Sequence, residues 1–464
     1  MTDQVILPHK IGDHWNIVQD SLCNVHWTPH NLINAMEKIY KSSCRSCKDL
    51  LRFQQFSGLL KFLSDPYYKA GDPGLFWGDY YFGFQKPDSN IKGWFLAHTV
   101  PYIVQLILNL PETFPSGLPA INTDHNNAIQ EFTISRLQSV TLLACSFFCA
   151  FHHTSAPTKK TVNFENIYLS LNKDCPQNIA KLCMLMNYFE RCRLKMFRQS
   201  EPIVIKRLIS LSLEKFSESD WSNCVVPLST FQTVSDGSIK DSGHEVLHVD
   251  FANRWIGGGV LRKGAVQEEI MFSICPELLT TILICGVMEK DEAIIITGAD
   301  EYSLHKGYGR TLRFIGNAPP SDGSVTCVAM DATRFTGDKD PLRQYSEECI
   351  LRELNKARVA FNHSYPSVNA AVATGNWGCG AFGGHVQLKA MLQWMAASSC
   401  SRPIMYYTFQ DENCKGLEEI TEFLLQKSLN VCQLYNTIKQ FANQLEPVDT
   451  PKNHLFSFLK ESFE

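Results

Sequence analysis

The sequence predicts an α/β fold preceded by a helical region. From about residue 202 onward, short apolar runs alternate with amphipathic segments, which predicts strands followed by helices in a sheet covered on both faces. Before that point, apolar side chains recur at helical spacing. The 464 residues are enough for two domains, and a content of 44% hydrophobic and 19% charged residues is typical of a folded protein. We therefore predict a helical accessory domain over residues 1–200 and an α/β domain over residues 201–464.

Several helices are predicted in the N-terminal region. Thr28 and Pro29 suit the N-cap and the first turn of a helix. Apolar patterns predict further helices over residues 50–63 and 140–151 and after Pro176. Residues 65–88 and 110–126 are rich in Pro, Gly and aromatic side chains, and we interpret them as ordered loops. The predicted buried face of the first helix consists of Leu32, Ile33, Met36, Ile39 and Tyr40.

The C-terminal region contains seven predicted strands and six predicted helices. Open α/β sheets bind ligands beyond the carboxyl ends of their strands. Asp250, Thr374 and Phe409 each stand where a predicted strand stops, so we expect the loops that follow them to converge. The predicted helices follow Val266, Pro276, Leu342, Gly384, Leu417 and Leu429. The predicted strands cover residues 203–206, 245–249, 293–297, 311–315, 325–330, 369–374 and 403–409.

Charge and cysteine content limit the functional class. The net charge of −4 gives no basic footprint for direct nucleic-acid binding. The first twenty residues lack the basic start and apolar run of a signal peptide, and no apolar run reaches the ~20 residues of a membrane span. An odd number of cysteines, 17, without a signal indicates reduced thiols. We therefore expect an intracellular protein of the nucleus or cytoplasm that does not bind membranes.

One group of residues loosely resembles a zinc site. His26, His30, Cys44 and Cys47 have an H-x3-H and C-x2-C arrangement. The helix predicted from Pro29 would place His30 on its first turn and His26 outside it, which disfavours a shared metal ion. We therefore predict no metal.

The stretch from residue 249 to residue 269 carries the chemistry. Three consecutive glycines, Gly257 to Gly259, let the backbone approach a ligand closely. Gln267, Glu268 and Glu269 follow seven residues later, and acidic groups brought together in this way suggest acid–base chemistry on a bond that breaks with build-up of positive charge. Taken separately, the glycines could form a flexible turn, and the two glutamates could be a solvated helix start.

A second glycine-rich segment covers residues 374–384. It contains five glycines between an apolar run and an amphipathic helix. Such a turn presents backbone N–H groups and the positive end of a helix dipole, which predicts a diphosphate cradle. The spacing excludes a dinucleotide-binding GxGxxG motif, and the segment lacks the GK[ST] ending of a P-loop. The alternative is a tight turn with no ligand.

The two segments VDFANRWIGGG…QEE and TGNWGCGAFGG together resemble the poly(ADP-ribose) glycohydrolase family. The resemblance implies a macrodomain-like mixed sheet flanked by helices and preceded by an all-helical accessory domain. It implies cleavage of the ribose–ribose O-glycosidic bonds of poly(ADP-ribose) attached to proteins, with release of ADP-ribose and without a cofactor. A role in the DNA damage response is also implied.

The resemblance assigns roles to individual residues. Glu269 would be the general acid and base, Glu268 would hold the ribose hydroxyls, and Asp250 would order the acidic centre. The aromatic members of the set could instead be simple core filling. Lys240 and His385 depart from the acidic residues expected at their positions, which bears on adenine and ligand recognition. Substrate-binding roles are implied for Asn253, Gln267, Tyr308, Asn376, Gly378, Gly380, Ala381, Phe382, Phe409 and Ile239.

Two other functions share the same expected pocket. A macrodomain could bind ADP-ribose without cutting it, and a hydrolase could act on mono(ADP-ribosyl) substrates. The Gln267-Glu268-Glu269 triplet favours an enzyme, because a binding module does not require acid–base residues on its glycine loop.

Overall fold

The computed structural model describes eleven segments of the chain. The predicted loop over residues 65–88, part of the predicted helix over residues 50–63, and both Cys44 and Cys47 lie outside the described residues. The described segments are residues 4–43, 56–64, 91–121, 129–152, 162–171, 174–195, 201–209, 216–320, 324–367, 369–445 and 454–464.

Helices dominate the N-terminal part and recur between the later strands. Short 3-10 turns accompany several of them, and a π-helical turn over Phe95–Thr99 joins the fourth helix to the fifth. The α-helices are α1 Gly12–Leu22, α2 Pro29–Ser43, α3 Ser57–Ser64, α4 Ile91–Trp94, α5 Val100–Leu108, α6 Leu110–Thr113, α7 Arg136–Phe147, α8 Glu165–Leu169, α9 Pro176–Arg193, α10 Glu218–Ser222, α11 Gln267–Ile274, α12 Thr280–Ile284, α13 Glu347–Phe361, α14 Val386–Ser399, α15 Leu417–Gln426, α16 Val431–Gln444 and α17 Leu455–Phe463.

Eight strands form one mixed sheet. Its order is β3-β4-β7-β10-β6-β11-β12-β5, in which β10, β6, β11, β12 and β5 run parallel and the other neighbours are antiparallel. Two small two-stranded sheets pair β1 with β2 and β8 with β9. The strands are β1 Gln4–Val5, β2 Leu118–Pro119, β3 Ile129–Ile134, β4 Ile203–Ile209, β5 Phe231–Val234, β6 Leu247–Asp250, β7 Glu292–Ala299, β8 Ser303–Lys306, β9 Arg313–Asn317, β10 Val325–Ala329, β11 Val372–Gly375 and β12 Ile404–Tyr407.

Alternation along the central strands creates two apolar faces. In β7, Ile294 and Ile296 point to one side, and Ala293 and Ile295 point to the other. The N-terminal helices together with α9 and α11 cover the first face, and α13, α14, α15, α16 and α17 cover the second. The sheet is therefore buried on both sides, as the strand–helix alternation predicts. No helix in the described segments is long and apolar enough to cross a membrane.

The predicted helical N-terminal part and the α/β part are both confirmed, and each predicted strand position holds a strand. The structure adds five strands that were not predicted: β1, β2, β3, β5 and β8. Strand β3 comes from the N-terminal part, pairs with β4 and forms an edge of the sheet. Its sequence, IQEFTI, contains exposed polar residues, so it does not form a continuous apolar run and was not predicted as a strand. The predicted strand near residue 313 lies in the separate β8–β9 hairpin.

Several predicted boundaries were wrong. Helix α7 begins after Ser135, whose side chain accepts a hydrogen bond from the Gln138 backbone, and it stops at Phe147 instead of residue 151. Cys149 has a φ of 54°, which no α-helix accommodates. The predicted loop over residues 110–126 contains α6 and β2, and residues 122–126 lie outside the described segments.

Candidate active site

A cavity of about 970 Å³ lies at the carboxyl ends of the parallel strands β6, β11 and β12. Much of its lining comes from three segments: the loop after β6 with the start of α11, the loop after β11, and the residues after β12. Residues 237–240, His248, His305, Tyr308 and Ala332 complete it. Parallel strands bring their carboxyl ends to one edge of the sheet, so segments more than a hundred residues apart in sequence meet there.

The loop after β6 holds the Glu268 carboxylate in place. Glu268 is 3% exposed. Its Oε2 accepts a hydrogen bond from the Asn253 N–H at 3.0 Å, and its Oε1 accepts one from the Gly257 N–H at 2.6 Å. Both bonds cross from helix α11 back to the loop, so the carboxylate fixes the loop that surrounds it.

Glu269 is held in the same way. It is 7% exposed. Its Oε1 accepts from the Gly259 N–H at 2.8 Å, and its Oε2 accepts from the Val266 N–H at 2.9 Å, immediately before α11 begins. Each of its oxygens retains a further lone pair, and the residue lines the cavity. The Glu269 carboxylate is therefore positioned by the backbone and still has hydrogen-bonding capacity for a ligand.

Close approach explains the glycine triplet. A Cβ on Gly258 would stand 2.4 Å from Oε2 of Glu268 and 2.7 Å from Oε1 of Glu269. Gly258 also has a φ of +49°, in the left-handed region. A Cβ on Gly264 would stand 2.6 Å from Oε1 of Glu269. Only glycine at these positions lets the loop wrap both carboxylates.

Asp250 completes a buried acidic centre. It lies at the end of β6 and is fully buried, and neither carboxyl oxygen has a hydrogen-bond partner in the described part of the chain. Burial, and then the charge of Glu269, raise the pKa of Asp250 well above its ordinary value. Burial also raises the pKa of Glu268, and the charges of Asp250 and Glu269 add to the effect. The centre therefore retains protons that isolated carboxyl groups would lose.

A lysine from the N-terminal part donates hydrogen bonds to the loop after β6. Lys181 in α9 is 1% exposed. Its Nζ donates to three loop carbonyls, those of Val260 at 2.8 Å, Arg262 at 2.6 Å and Gly264 at 2.7 Å. Burial lowers the pKa of Lys181 to about 7, although the nearby charge of Glu269 opposes the shift. The helical part thus holds the loop that surrounds both carboxylates.

The loop after β11 presents unpaired backbone donors to the same cavity. No described residue accepts a hydrogen bond from the N–H groups of Gly378, Gly380, Ala381 and Phe382, and all four residues line the cavity. Thr336 Oγ1 donates to the Ala381 carbonyl at 2.7 Å and steadies the loop. A row of unpaired N–H groups is a site for an anion such as a diphosphate.

Lys389 supports this second loop from the protein interior. Its Nζ lies 3.3 Å from the centroid of the Trp377 ring and forms a buried ion pair with Glu353. A Cβ on Gly378 would come within 3.4 Å of the same Nζ. The charge of Lys389 is therefore paired inside the protein. The predicted diphosphate cradle consists of the backbone N–H groups of Gly378 and residues 380–382.

Two exposed aromatic side chains stand at the cavity mouth. Tyr308 is 55% exposed, and its hydroxyl accepts a hydrogen bond from the Gln267 N–H at 3.1 Å. Phe409 is 45% exposed and has a φ of +52°, which is rare for a bulky residue and typical of a ligand clamp. Exposure on this scale excludes core filling for both.

Comparison with known proteins agrees with this geometry. A family model described as "Poly (ADP-ribose) glycohydrolase (PARG), helical domain" matches residues 88–207, and one described as "Poly (ADP-ribose) glycohydrolase (PARG), Macro domain fold" matches residues 218–416. Poly(ADP-ribose) glycohydrolase 1 of Arabidopsis thaliana is 30% identical, over 76% of this chain and 79% of its own length. The chain belongs to the poly(ADP-ribose) glycohydrolase family. Poly(ADP-ribose) glycohydrolase 1 of Caenorhabditis elegans is 31% identical, over 67% of this chain and 40% of its own length.

The structure brings the predicted site residues of this glycohydrolase family member together. Every predicted substrate-binding residue lines the cavity, as do Glu268 and Glu269, whereas Asp250 is buried behind them. The individual roles stay predictions. The lining residues from the predicted set are Ile239, Asn253, Gln267, Glu268, Glu269, Tyr308, Asn376, Gly378, Gly380, Ala381, Phe382 and Phe409.

Two of the amide side chains are largely occupied by protein partners. Gln267 accepts from the Phe251 N–H at 2.9 Å and donates to the Val249 carbonyl at 3.0 Å. Asn376 donates to Asp411 at 2.8 Å and accepts from the Tyr406 hydroxyl at 2.9 Å. These bonds hold the loops in position, so substrate contacts by the two residues would use their remaining hydrogen-bonding capacity.

Lys240 and His385, the two departures from the family pattern, have different surroundings. Lys240 lines the cavity and pairs with Glu301 at 3.5 Å. His385 precedes α14, does not line the cavity, and shares a 2.6 Å hydrogen bond between its Nδ1 and the Tyr345 hydroxyl. Burial lowers the pKa of His385 to about 4, so the ring is neutral. Only Lys240 is placed to affect ligand recognition.

The sequence predicts no metal at the N-terminal His/Cys cluster, and the structure describes only part of that cluster. In the segments that the structure describes, no group of three His, Cys, Asp or Glu residues could share a metal ion. Pro29 begins α2 as predicted, with His30 inside the helix and His26 before it. Because Cys44 and Cys47 lie outside the described residues, the prediction of no zinc there stays a prediction.

Replacing Gly258 by Ala is expected to lower turnover strongly while it lowers the stability of the fold only modestly. The new Cβ would collide with both carboxylates, whereas the left-handed backbone alone costs about 1–2 kcal/mol. We expect turnover to fall by at least a factor of about 100, because a shift of about 1 Å in a catalytic group has effects of this size. The matched control is Gly416→Ala, where φ is +81° and the nearest atom would stand 3.5 Å away. Equal turnover by the two variants, compared at equal folded fraction, would contradict this explanation.

Replacing Asp250 by Asn should change the dependence of stability on pH. The pKa of Asp250 is higher in the folded than in the unfolded protein, so folding takes up a proton. Stability therefore falls as pH rises from the unfolded-state pKa towards the folded-state pKa. The neutral amide of Asn does not titrate, so the Asp250→Asn variant does not lose stability in this way. The melting temperature of the variant minus that of the wild type should therefore increase from pH 5 to pH 8. Thermal unfolding at several pH values measures the difference, and a constant or shrinking difference contradicts a buried, protonated Asp250.

Proposed function

We propose that this chain is a poly(ADP-ribose) glycohydrolase that releases ADP-ribose from polymer, with Glu269 as its general acid and base. The observation that carries the proposal is the position of Glu268 and Glu269, at the start of α11 and bonded to the glycine loop, in the same cavity as the unpaired N–H groups of Gly378 and residues 380–382. One part of this cavity suits a diphosphate and the other suits a sugar, as ADP-ribose requires.

The proposed reaction begins with protonation of the bridging oxygen. Glu269 in its acid form gives a proton to the oxygen that leaves, the bond from this oxygen to the anomeric carbon breaks, and positive charge develops on the sugar. Glu269, now a carboxylate, takes a proton from water as the water oxygen bonds to the anomeric carbon. The products are ADP-ribose and a polymer shortened by one unit, and Glu269 regains its acid form.

The surrounding carboxyl groups support this proton transfer. The pKa values of Asp250 and Glu268 are raised because both residues are buried and because three carboxyl groups lie close together. Asp250 and Glu268 therefore keep their protons to higher pH than isolated carboxyl groups do, which supports proton transfer at this centre. Glu268 keeps lone pairs for ribose hydroxyls beside its two backbone bonds.

The polymer that this enzyme would meet is attached to proteins inside the cell. The 15 described cysteines are all free thiols, which supports a reducing compartment, the nucleus or the cytoplasm. We also propose that direct nucleic-acid and membrane binding are not part of the function, in keeping with the net charge of −4. A role in the DNA damage response would follow from the substrate.

Purified protein with labelled substrates tests the proposal. Release of free ADP-ribose from defined poly(ADP-ribose) is expected, with little release from a mono(ADP-ribosyl) protein. ADP-ribose binding without any release would instead indicate a binding macrodomain. Faster release from the mono-modified protein would indicate a hydrolase of mono(ADP-ribosyl) substrates.

A further inference from the structure

The glycine loop and a neighbouring segment carry positive charge without any acidic residue. Residues 254–266 include three arginines and lysines and no Asp or Glu, and residues 303–316 include three more, again with no Asp or Glu. The first segment is the glycine loop itself. The second contains the β8–β9 hairpin and Tyr308 at the cavity mouth. This local excess of six cations occurs in a chain whose net charge is −4.

Hydrogen bonds hold the two segments side by side. The Gly309 N–H donates to the Ala265 carbonyl at 2.8 Å, and the Tyr308 hydroxyl accepts from the Gln267 N–H at 3.1 Å. The cations that flank these contacts therefore lie on neighbouring parts of the surface. Five of the six are exposed, and four of these five lie within three residues of Ala265 or Gly309. We refer to these four as the basic rim: Arg262, Lys263, Lys306 and Arg310.

The four cations of the basic rim have no acidic counter-charge within the described segments. Within the described segments, Arg343 pairs with Asp338 at 2.6 Å and Lys206 pairs with Glu131 at 2.7 Å, whereas no member of the rim has an ion-pair partner. Neighbouring like charges repel each other and raise the local potential, which attracts anions to this surface. A ligand that brings several phosphates would supply the missing counter-charge.

We propose that the basic rim binds the phosphates of the poly(ADP-ribose) chain beyond the bond that is cleaved. This inference rests on the proposed function, because it takes the carboxylates as the point of cleavage. One ADP-ribose unit occupies the cavity, and the rest of the chain must leave it past the catalytic loop. Val266 and Tyr308, which are 42% and 55% exposed, mark that exit. Each further unit carries two phosphates, which the rim cations can contact directly or through water.

The rim should therefore matter for polymer and not for the chemistry in the cavity. Two substrates separate these effects: long poly(ADP-ribose), and ADP-ribose joined through its terminal ribose to a neutral phenol, which has no phosphate beyond the scissile bond. The test variant carries Arg262→Ser, Lys263→Ser, Lys306→Ser and Arg310→Ser together. Its control carries Lys427→Ser and Lys460→Ser, two exposed lysines at the C-terminal helices α15 and α17, on the other side of the sheet.

For the rim variant, we expect the KM for long polymer to rise at least tenfold, with the rate on the phenyl substrate within twofold of wild type. The dependence of log KM on log salt concentration should become shallower by about two to three, since each lost phosphate contact removes about 0.7 from this slope for a single-stranded polyanion. The control should match wild type on both substrates. An unchanged KM and salt slope for polymer, or an equal loss on both substrates, would overturn the proposal.

Direct binding separates failure of this inference from failure of the proposed function. Fluorescently labelled long polymer is titrated with Glu269→Gln, and with Glu269→Gln combined with the four rim substitutions. At least tenfold weaker binding by the combined variant supports the rim, whether or not the wild type cleaves polymer. Equal binding by the two proteins refutes it. Single-stranded DNA with the same number of phosphates is titrated in parallel, and tighter rim-dependent binding of DNA than of polymer would assign the surface to nucleic acid and overturn the proposal.

Discussion

Turnover of poly(ADP-ribose) should fall by about 10²–10⁴ when Glu269 is replaced by Gln, while ADP-ribose still binds. The amide cannot give a proton to the leaving oxygen or take one from water. The same substitution also changes the loop, because each carboxylate oxygen accepts one backbone N–H, from Gly259 and from Val266. The glutamine NH₂ group would face one of these donors and lose that bond. Turnover at saturating polymer and calorimetric titration with ADP-ribose measure the two effects separately.

The matched control is Glu268→Gln, because Glu268 also accepts two backbone N–H groups. The structural effect of the two substitutions should be similar, and melting temperatures can check this. If Glu268 holds the ribose hydroxyls, its replacement should weaken ADP-ribose binding, whereas Glu269→Gln should leave the affinity within a few-fold of wild type. Near-normal release of ADP-ribose by Glu269→Gln would refute its assignment as general acid and base.

Replacing Lys181 by Met should lower turnover at least tenfold, although Lys181 does not line the cavity. Its ammonium group has three N–H bonds and satisfies three carbonyls of the loop that holds Glu269. Methionine fills similar space but leaves those buried carbonyls without a donor, so the loop should move away from its catalytic geometry. Turnover at saturating substrate, corrected for the folded fraction, is the measurement.

The pH profile distinguishes this positioning role from a loss of stability. The pKa of Lys181 is lowered to about 7 by burial, so the wild type should lose one of the three loop hydrogen bonds, and part of its turnover, as pH rises above about 7. The Lys181→Met profile should lack this step. Lys356→Met is the control, because Lys356 is equally buried and also donates to two backbone carbonyls, but it lies in α13 away from the cavity. If Lys181→Met keeps turnover within twofold of wild type, the loop does not depend on this lysine.

Local patterns were sufficient to predict much of the fold and most of the cavity. Apolar periodicity located seven strands and six helices of the α/β part, because the buried positions of an element recur at the period of that element. It missed β5 and β8. Edge strand β3 was missed as well, because Glu131 and Thr133 are exposed and interrupt its apolar pattern. The glycine-rich segments and the strand ends located Glu268, Glu269 and residues 378–382. Turns and strand ends can be predicted in this way because each depends on a few consecutive residues.

The sequence by itself therefore determined the two-part architecture, the Gln267-Glu268-Glu269 triplet that follows the glycine loop, and the second glycine-rich loop. The tertiary structure alone decided how these parts act on one another. Lys181 reaches carbonyls 79 to 83 residues away, Asp250 is buried behind the two glutamates, and the β8–β9 hairpin brings Arg310 beside the loop that contains Lys263. Such contacts depend on how the helices pack against the sheet. The pattern of residues within one segment does not indicate which distant residue will contact that segment.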